Sequence, residues 1–121
     1  MDFSVDHTII DEGTVLMALS GSLDVASAPE LRDLVVGLID EGRYRLVLNM
    51  SGVDFVDSIG LGVFVGLVHR LRPHDGRMVV AAPSEQTRKV FEITQLIRVV
   101  PLHDSDEAAL SAVRADRDTA G

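Results

Sequence analysis

The residues that invite a chemical reading lie between positions 54 and 71, in "DFVDSIGLGVFVGLVHRL". One hydroxyl, Ser58, stands between Asp57 and Ile59 and is followed by Gly60, Gly62 and Gly66 in an otherwise apolar, helix-like run. Three roles fit such a serine: a helix N-cap, a nucleophile, or a switch. If the helix begins at about Ile59, Ser58 is its N-cap and Asp57 lies just before it, positions that both residue types fill for structural reasons alone. A nucleophile needs a base to take its proton and a group to orient that base. The hydrolase elbow has glycine two places before and two after its serine, whereas here Val56 holds the first place and only Gly60 fits. His7, His69, His74 and His103 are scattered, and their spacing marks none of them as that base. His69 reads as a partly exposed structural histidine on the apolar helix, and His74, in "RPHDG", as a turn residue. The chain is not read as an enzyme.

The other polar groups give no stronger chemical signal. "DVAS" and "HDSDE" contain carboxylates without metal-ligand spacing, and "GLG" lacks the lysine of a phosphate-binding loop. Asp104, Asp106 and Glu107 read as the solvated, acidic start of a helix. No metal and no cofactor held by this chain are expected.

The glycines ask for a different explanation. Gly60 and Gly62 fall in the first turn of the helix, where each costs up to about 1 kcal/mol relative to alanine. Something other than helix propensity selects them, and close approach by another backbone, from within the chain or from a partner, is one account. Gly62 and Gly66 are one turn apart, which would let their shared face pack tightly on a sheet. Leu61, Val63, Phe64, Val65, Leu67 and Val68 cannot all face one core stripe. Such a helix is either buried on most sides or leaves an exposed patch for a partner.

The elements that must position this segment follow from periodicity. A weak strand is expected near 3–10 and a clearer one in "GTVLMALSG" (13–21). "SAPELRDLVVGLID" (27–40) has Ser27 as an N-cap, Pro29 in the first turn and Glu30 at capping-box spacing, with Leu31, Leu34, Val35, Leu38 and Ile39 on one face. Strands are expected at 45–50, 76–82 and 97–102, and further helices at 84–94, with Ser84 as cap, and at 104–116. Strands alternating with helices predict an α/β domain with a largely parallel or mixed sheet. Ser58 then lies at the carboxyl end of a strand, where such sheets bind or react.

Composition bounds the rest. The 121 residues suit one domain, expected over 1–115, with 116–121 as a frayed tail. Apolar residues make up 46% of the chain but aromatics only 4%, so the core must be built from Val, Leu, Ile and Ala. The net charge of −8, with no cluster of Lys or Arg, argues against nucleic acid or an anionic membrane surface and in favour of a basic protein partner. Cysteine is absent, which removes disulfides and thiolate sites and suits a reducing cytosol. The N-terminus lacks signal-peptide character, and "IGLGVFVGLV" is about half the length of a membrane span. A soluble, cytoplasmic protein is expected.

"LVLNMSGVDFVDSIGLGVFVGL" resembles the signature of the anti-sigma factor antagonists, the bacterial STAS-domain proteins, whose strand "hhLDLsxhxFhDSsGLG" ends at a phosphorylated serine. "GSLDVASAPELRDLV" (21–35) is similar to the family's "GELDxxTAxxLxxxL", and "VFEITQLIRVVPLHDSDEAAL" (90–110) to its closing "hFxhtGLxxhhxhhxsxxEAL". The resemblance spans nearly the whole chain in the right order. It implies a single STAS domain with about four helices packed mainly on one face of the mixed sheet. It also implies a binding switch: the antagonist sequesters an anti-sigma factor, often one with a protein-kinase fold, and so frees a sigma factor to engage RNA polymerase. That partner uses ATP and Mg to phosphorylate the antagonist, and a serine phosphatase restores it. By this resemblance Ser58 is the phosphoacceptor, and Asp24, Asp57, Ser58, Ile59, Gly60, Leu61 and Gly62 form the partner-binding set in a monomer or weak homodimer. Ile59 stands where the family usually has a second hydroxyl, which leaves a module that is never phosphorylated, a scaffold in a signalling or transport assembly, as the alternative.

Overall fold

A two-residue turn at Glu12 and Gly13 folds β1 (Ser4–Asp11) back onto β2 (Thr14–Leu23) in an antiparallel pairing. The computed structural model describes the backbone of residues 2–120 and the side chains of 2–115. After β2 the order is α1 (Ala28–Asp40), β3 (Arg45–Val56), α2 (Ser58–Leu71), β4 (Arg77–Ala81), α3 (Glu85–Ile93), β5 (Leu102–His103) and α4 (Asp106–Ala120). The five strands lie side by side in sequence order, β2 to β5 parallel, as helical crossovers require. The tail expected over 116–121 falls at the edge of the described residues.

The central strands are apolar on both faces because both faces are covered. Leu46, Leu48 and Met50 of β3 join Met78 and Val80 of β4 in the larger core, under α1, α2 and α3. Val47, Val79 and Ala81 point the other way and meet Ala109 and Val113 of α4. Three helices thus share one face, as expected, and the fourth lies alone on the other. With few aromatics available, Phe64 of α2 and Phe91 of α3 meet at the centre, their rings 5.6 Å apart and tilted by 57°.

Several local expectations need correction. Ser27 does not cap α1 with its side chain, and the capping box with Glu30 does not form. Its Oγ instead donates to the Ser22 carbonyl (2.7 Å) and accepts from the Asp24 amide (2.9 Å), turning the chain ahead of the helix. Ser84 does cap α3, accepting from the Thr87 amide. The strand expected over 97–102 shrinks to Leu102–His103, because Leu96–Arg98 coils into a 3-10 turn entered through Gln95 at φ 63°. Ser105 accepts from the Ala108 amide at the head of α4.

β3 is twice as long as the run that announced it. Beyond Asn49 it has no partner in β4 and pairs only with β2, as far as Leu23 with Val56. This two-strand arm, with Val53 buried beneath it, carries the chain past the rest of the sheet before α2 begins.

Candidate functional site

The head of α2 is built at the tip of that arm, and its cap is not the residue expected. Asp57, in extended conformation, is the N-cap; its Oδ1 accepts from the amides of both Ile59 and Gly60, each at 2.9 Å. Ser58 is the first helical residue, displaced from the cap by one place. Asp wins the position because a carboxylate accepts two amide hydrogens and carries the charge that the helix N-terminus favours. The Ser58 side chain is exposed and makes no hydrogen bond among the described residues.

Leu23 fixes this helix head to the end of β2. Its carbonyl accepts from the Asp57 amide at 3.1 Å. A Cβ on Gly60 would lie 2.7 Å from the same carbonyl oxygen and 2.9 Å from the Leu23 Cγ. Gly60 is therefore glycine because another part of the chain lies too close for a side chain, which decides one of the two accounts left open above. Gly62 and Gly66 behave in the opposite way. A Cβ at either meets nothing within 4 Å, so their face does not pack on the sheet as expected. They open instead into a shallow groove of about 330 Å³ between α1 and α2, with Ile59, Val63, Leu67, Arg32 and Arg70. The apolar helix is accordingly divided: Phe64, Leu67 and Leu71 are buried, Leu61, Val63 and Val68 half-buried, and Ile59 and Val65 exposed.

The residues predicted from sequence converge unevenly. Asp57, Ser58, Ile59 and Gly60 are consecutive at the tip, and Asp24 joins them through its neighbour Leu23. The Asp24 carboxylate holds its own turn, accepting from the Ala26 and Ser27 amides at 3.0 and 3.2 Å. Leu61 packs against the core, and Gly62 lies on the groove flank. Two residues were missed: Val25, 67% exposed, and Phe55, 48% exposed, which flank the same tip with Ile59 at 51%. Phe55 sits at a strand end in a register that only the arm reveals. The polar content of the tip is acidic. Asp54 accepts from the Ser22 hydroxyl, and no ion pair among the described residues involves Asp24, Asp54 or Asp57. No described histidine hydrogen-bonds to Ser58, and no described group of three or more His, Cys, Asp or Glu could hold a metal.

A mixed sheet with four helices in this order is the architecture that the sequence motifs implied, although Asp57 rather than Ser58 caps α2. The STAS domain model matches residues 7–109. The chain belongs to the STAS-domain family. An anti-sigma-B factor antagonist of Staphylococcus epidermidis is 31% identical over 101 residues, 84% of this chain and 94% of that protein. The anti-sigma factor antagonist SpoIIAA in its unphosphorylated form superposes with a TM-score of 0.81 at 26% identity, covering 93% of this chain and 97% of that one. The phosphorylated form of SpoIIAA, a Bacillus cell fate determinant, gives a TM-score of 0.72 at 26% identity over 91% of this chain and 99% of that one. Membership places this STAS domain among regulatory binding proteins rather than enzymes. No described helix is long and apolar enough to cross a membrane.

Proposed function

We propose that this STAS domain is an anti-sigma factor antagonist: it binds an anti-sigma factor of the protein-kinase type in the cytoplasm, releases the sigma factor, and is switched off by phosphorylation of Ser58. The observation that carries this reading is the tip itself, where an exposed hydroxyl with no hydrogen bond among the described residues lies at the same strand ends as exposed Val25, Phe55 and Ile59 and as Asp24, Asp54 and Asp57, which make no ion pair among the described residues. A phosphoacceptor must be accessible, and a docking surface must leave apolar area uncovered. Similarity to SpoIIAA, known in both phosphorylated and unphosphorylated forms, supports the same reading.

The physics of the switch follows from who holds the amides. Asp57 already occupies the N–H groups of Ile59 and Gly60. A phosphate on Ser58 would keep the favourable helix dipole but would stand beside that carboxylate, which makes no ion pair among the described residues. Its roughly two negative charges would therefore fall on the partner interface, where an apolar, neutral surface must be desolvated. A hundredfold loss of affinity corresponds to about 2.7 kcal/mol, within reach of an unpaired dianion.

Ser58→Glu is expected to weaken anti-sigma factor binding by about a hundredfold while the melting temperature stays nearly constant. Calorimetric titration and thermal melts read the two effects; tight binding by this variant, or its unfolding, refutes the switch. Ser58→Ala is expected to bind normally and to take up no phosphate from the kinase partner with ATP and Mg. Ile59, standing in place of a second hydroxyl, favours one other reading, a domain that is never phosphorylated. Mass spectrometry of the wild type after incubation with the partner and ATP separates the two by the presence or absence of one phosphate.

A further inference from the structure

The opposite end of α2 holds a second feature, independent of Ser58. Between the end of α2, the start of β4 and the 3-10 turn Leu96–Arg98 lies a cleft of about 290 Å³. Three arginines line it, one from each of these regions: Arg72, Arg77 and Arg98. Leu71, Met78 and Val99 supply apolar wall, and Val99 is 40% exposed.

Two of these arginines, Arg72 and Arg98, stand out in so acidic a chain. It carries 19 acidic residues against 11 Lys and Arg, so carboxylates are abundant enough to pair every cation. Arg32, Arg43, Arg45, Arg88 and Arg114 are indeed ion-paired. Arg72 and Arg98 have no carboxylate partner among the described residues, as is true of Arg70 and Lys89, but only these two lie together in one cleft, with a further arginine. The backbone that presents them is fixed: Gly76 donates to the Leu71 carbonyl at 3.0 Å, and Arg98 donates to that of Gln95 at 3.1 Å. A Cβ on Gly76 would overlap Leu71 and the Tyr44 carbonyl, so this corner admits no side chain.

We propose that this cleft binds a small organic anion, a phosphate ester or carboxylate attached to an apolar body. Guanidinium groups present planar forks of donors that match such oxyanions, and they stay charged at any physiological pH. The volume is at the lower end of small-ligand sites, too small for a folded segment of a partner. The apolar wall rewards a ligand with a hydrophobic body over a bare ion. The attraction comes from the side chains, because the carbonyl end of α2 repels anions and Arg72 at its C-cap offsets that repulsion.

The test is a ¹H–¹⁵N NMR titration of the whole chain at constant ionic strength, with phenyl phosphate and with inorganic phosphate as probes. Saturable shifts are expected at the Arg72 and Arg98 Nε–H groups and at the Gly76 amide, with phenyl phosphate binding about tenfold more tightly than inorganic phosphate. The double variant Arg72→Gln/Arg98→Gln should bind at least about tenfold more weakly at an unchanged melting temperature, and Arg32→Gln/Arg70→Gln should bind as the wild type does. Shifts that fail to saturate and spread over all arginines, equal affinity for the two probes, or unaltered binding by the first double variant would each overturn the assignment.

Discussion

The two ends of the parallel strands use the same residue type to opposite effect. At the end where β2 and β3 begin, Asp11 is closed in: its Oδ1 accepts from the Gly13 amide (3.1 Å) and pairs with Arg45 (3.3 Å), and its Oδ2 pairs with Arg114 of α4 (2.8 Å). Burial alone would raise the Asp11 pKa. Hydrogen bonds from Arg114, Thr14 and the Gly13 amide, with the charge of Arg114, outweigh it and hold the carboxyl well below the usual range. At the other end Asp57 is satisfied only by two amides of its own helix, and no described cation reaches it. The first carboxylate ties four elements together and leaves nothing to bind. The second holds one helix head and leaves the surface around it open. An added charge is absorbed where arginines already pair with the carboxylate and is felt more fully where no described cation does.

That contrast is open to tests of decreasing size, after the hundredfold effect expected of Ser58→Glu. Gly60→Ala forces a methyl against the Leu23 carbonyl and should destabilise the fold by about 2 kcal/mol, read by denaturant unfolding. A neutral result would mean that the helix head is not clamped to the arm. Asp57→Ala removes the cap and should cost about 1 kcal/mol, whereas Asp57→Asn, which still caps, should cost little and isolate the effect of the charge on partner binding. If Asp57→Asn lets the Ser58→Glu variant regain affinity, repulsion between the two acids is part of the switch.

Asp11→Asn probes the closed end. Its ion pairs are partly solvated, so the cost should stay under about 1 kcal/mol at neutral pH and should not alter partner binding. The folded-state pKa is depressed, so the contribution is complete above the unfolded value near pH 4 and is lost as pH falls through the folded value. The stability gap between wild type and Asp11→Asn should therefore narrow progressively below about pH 4, in parallel unfolding curves. A gap that widens there would contradict the pairing with Arg45 and Arg114. The smallest effect has the opposite sign. Gly62→Ala meets nothing within 4 Å and replaces a poor helix former, so it should stabilise by about 0.5 kcal/mol, two residues from a position where the same change destabilises.

Much of this was legible in the residues. The alternation of apolar runs with helical patterns located the helices and three of the strands to within a few positions, because burial on one or both faces leaves its period in the sequence, while β3 runs six residues further and the last strand begins five later than expected. The D-S-x-G-L-G run marked the tip. The errors share a cause. Ser27 and Ser58 have the residue type of N-caps, but Asp57 takes the amides at the head of α2 and Ser27 spends its hydroxyl on the Ser22 carbonyl and the Asp24 amide, and both outcomes depend on the path of the preceding strand. The last strand was overread because Gln95 adopts a left-handed conformation where the resembling motif has glycine, and the turn it makes turns part of an apolar run into a 3-10 helix.

The sequence by itself determined the mixed α/β architecture, the composition of the core and the serine at the carboxyl end of β3, since period, residue type and chain order are local properties. Tertiary structure alone decided which glycine is clamped and which lies open, that Asp57 rather than Ser58 caps α2, that Val25 and Phe55 are exposed near the tip, and that Arg72, Arg77 and Arg98 line one cleft at the far end of α2. Each of these depends on the distance between segments remote in the chain, a quantity that no periodicity encodes.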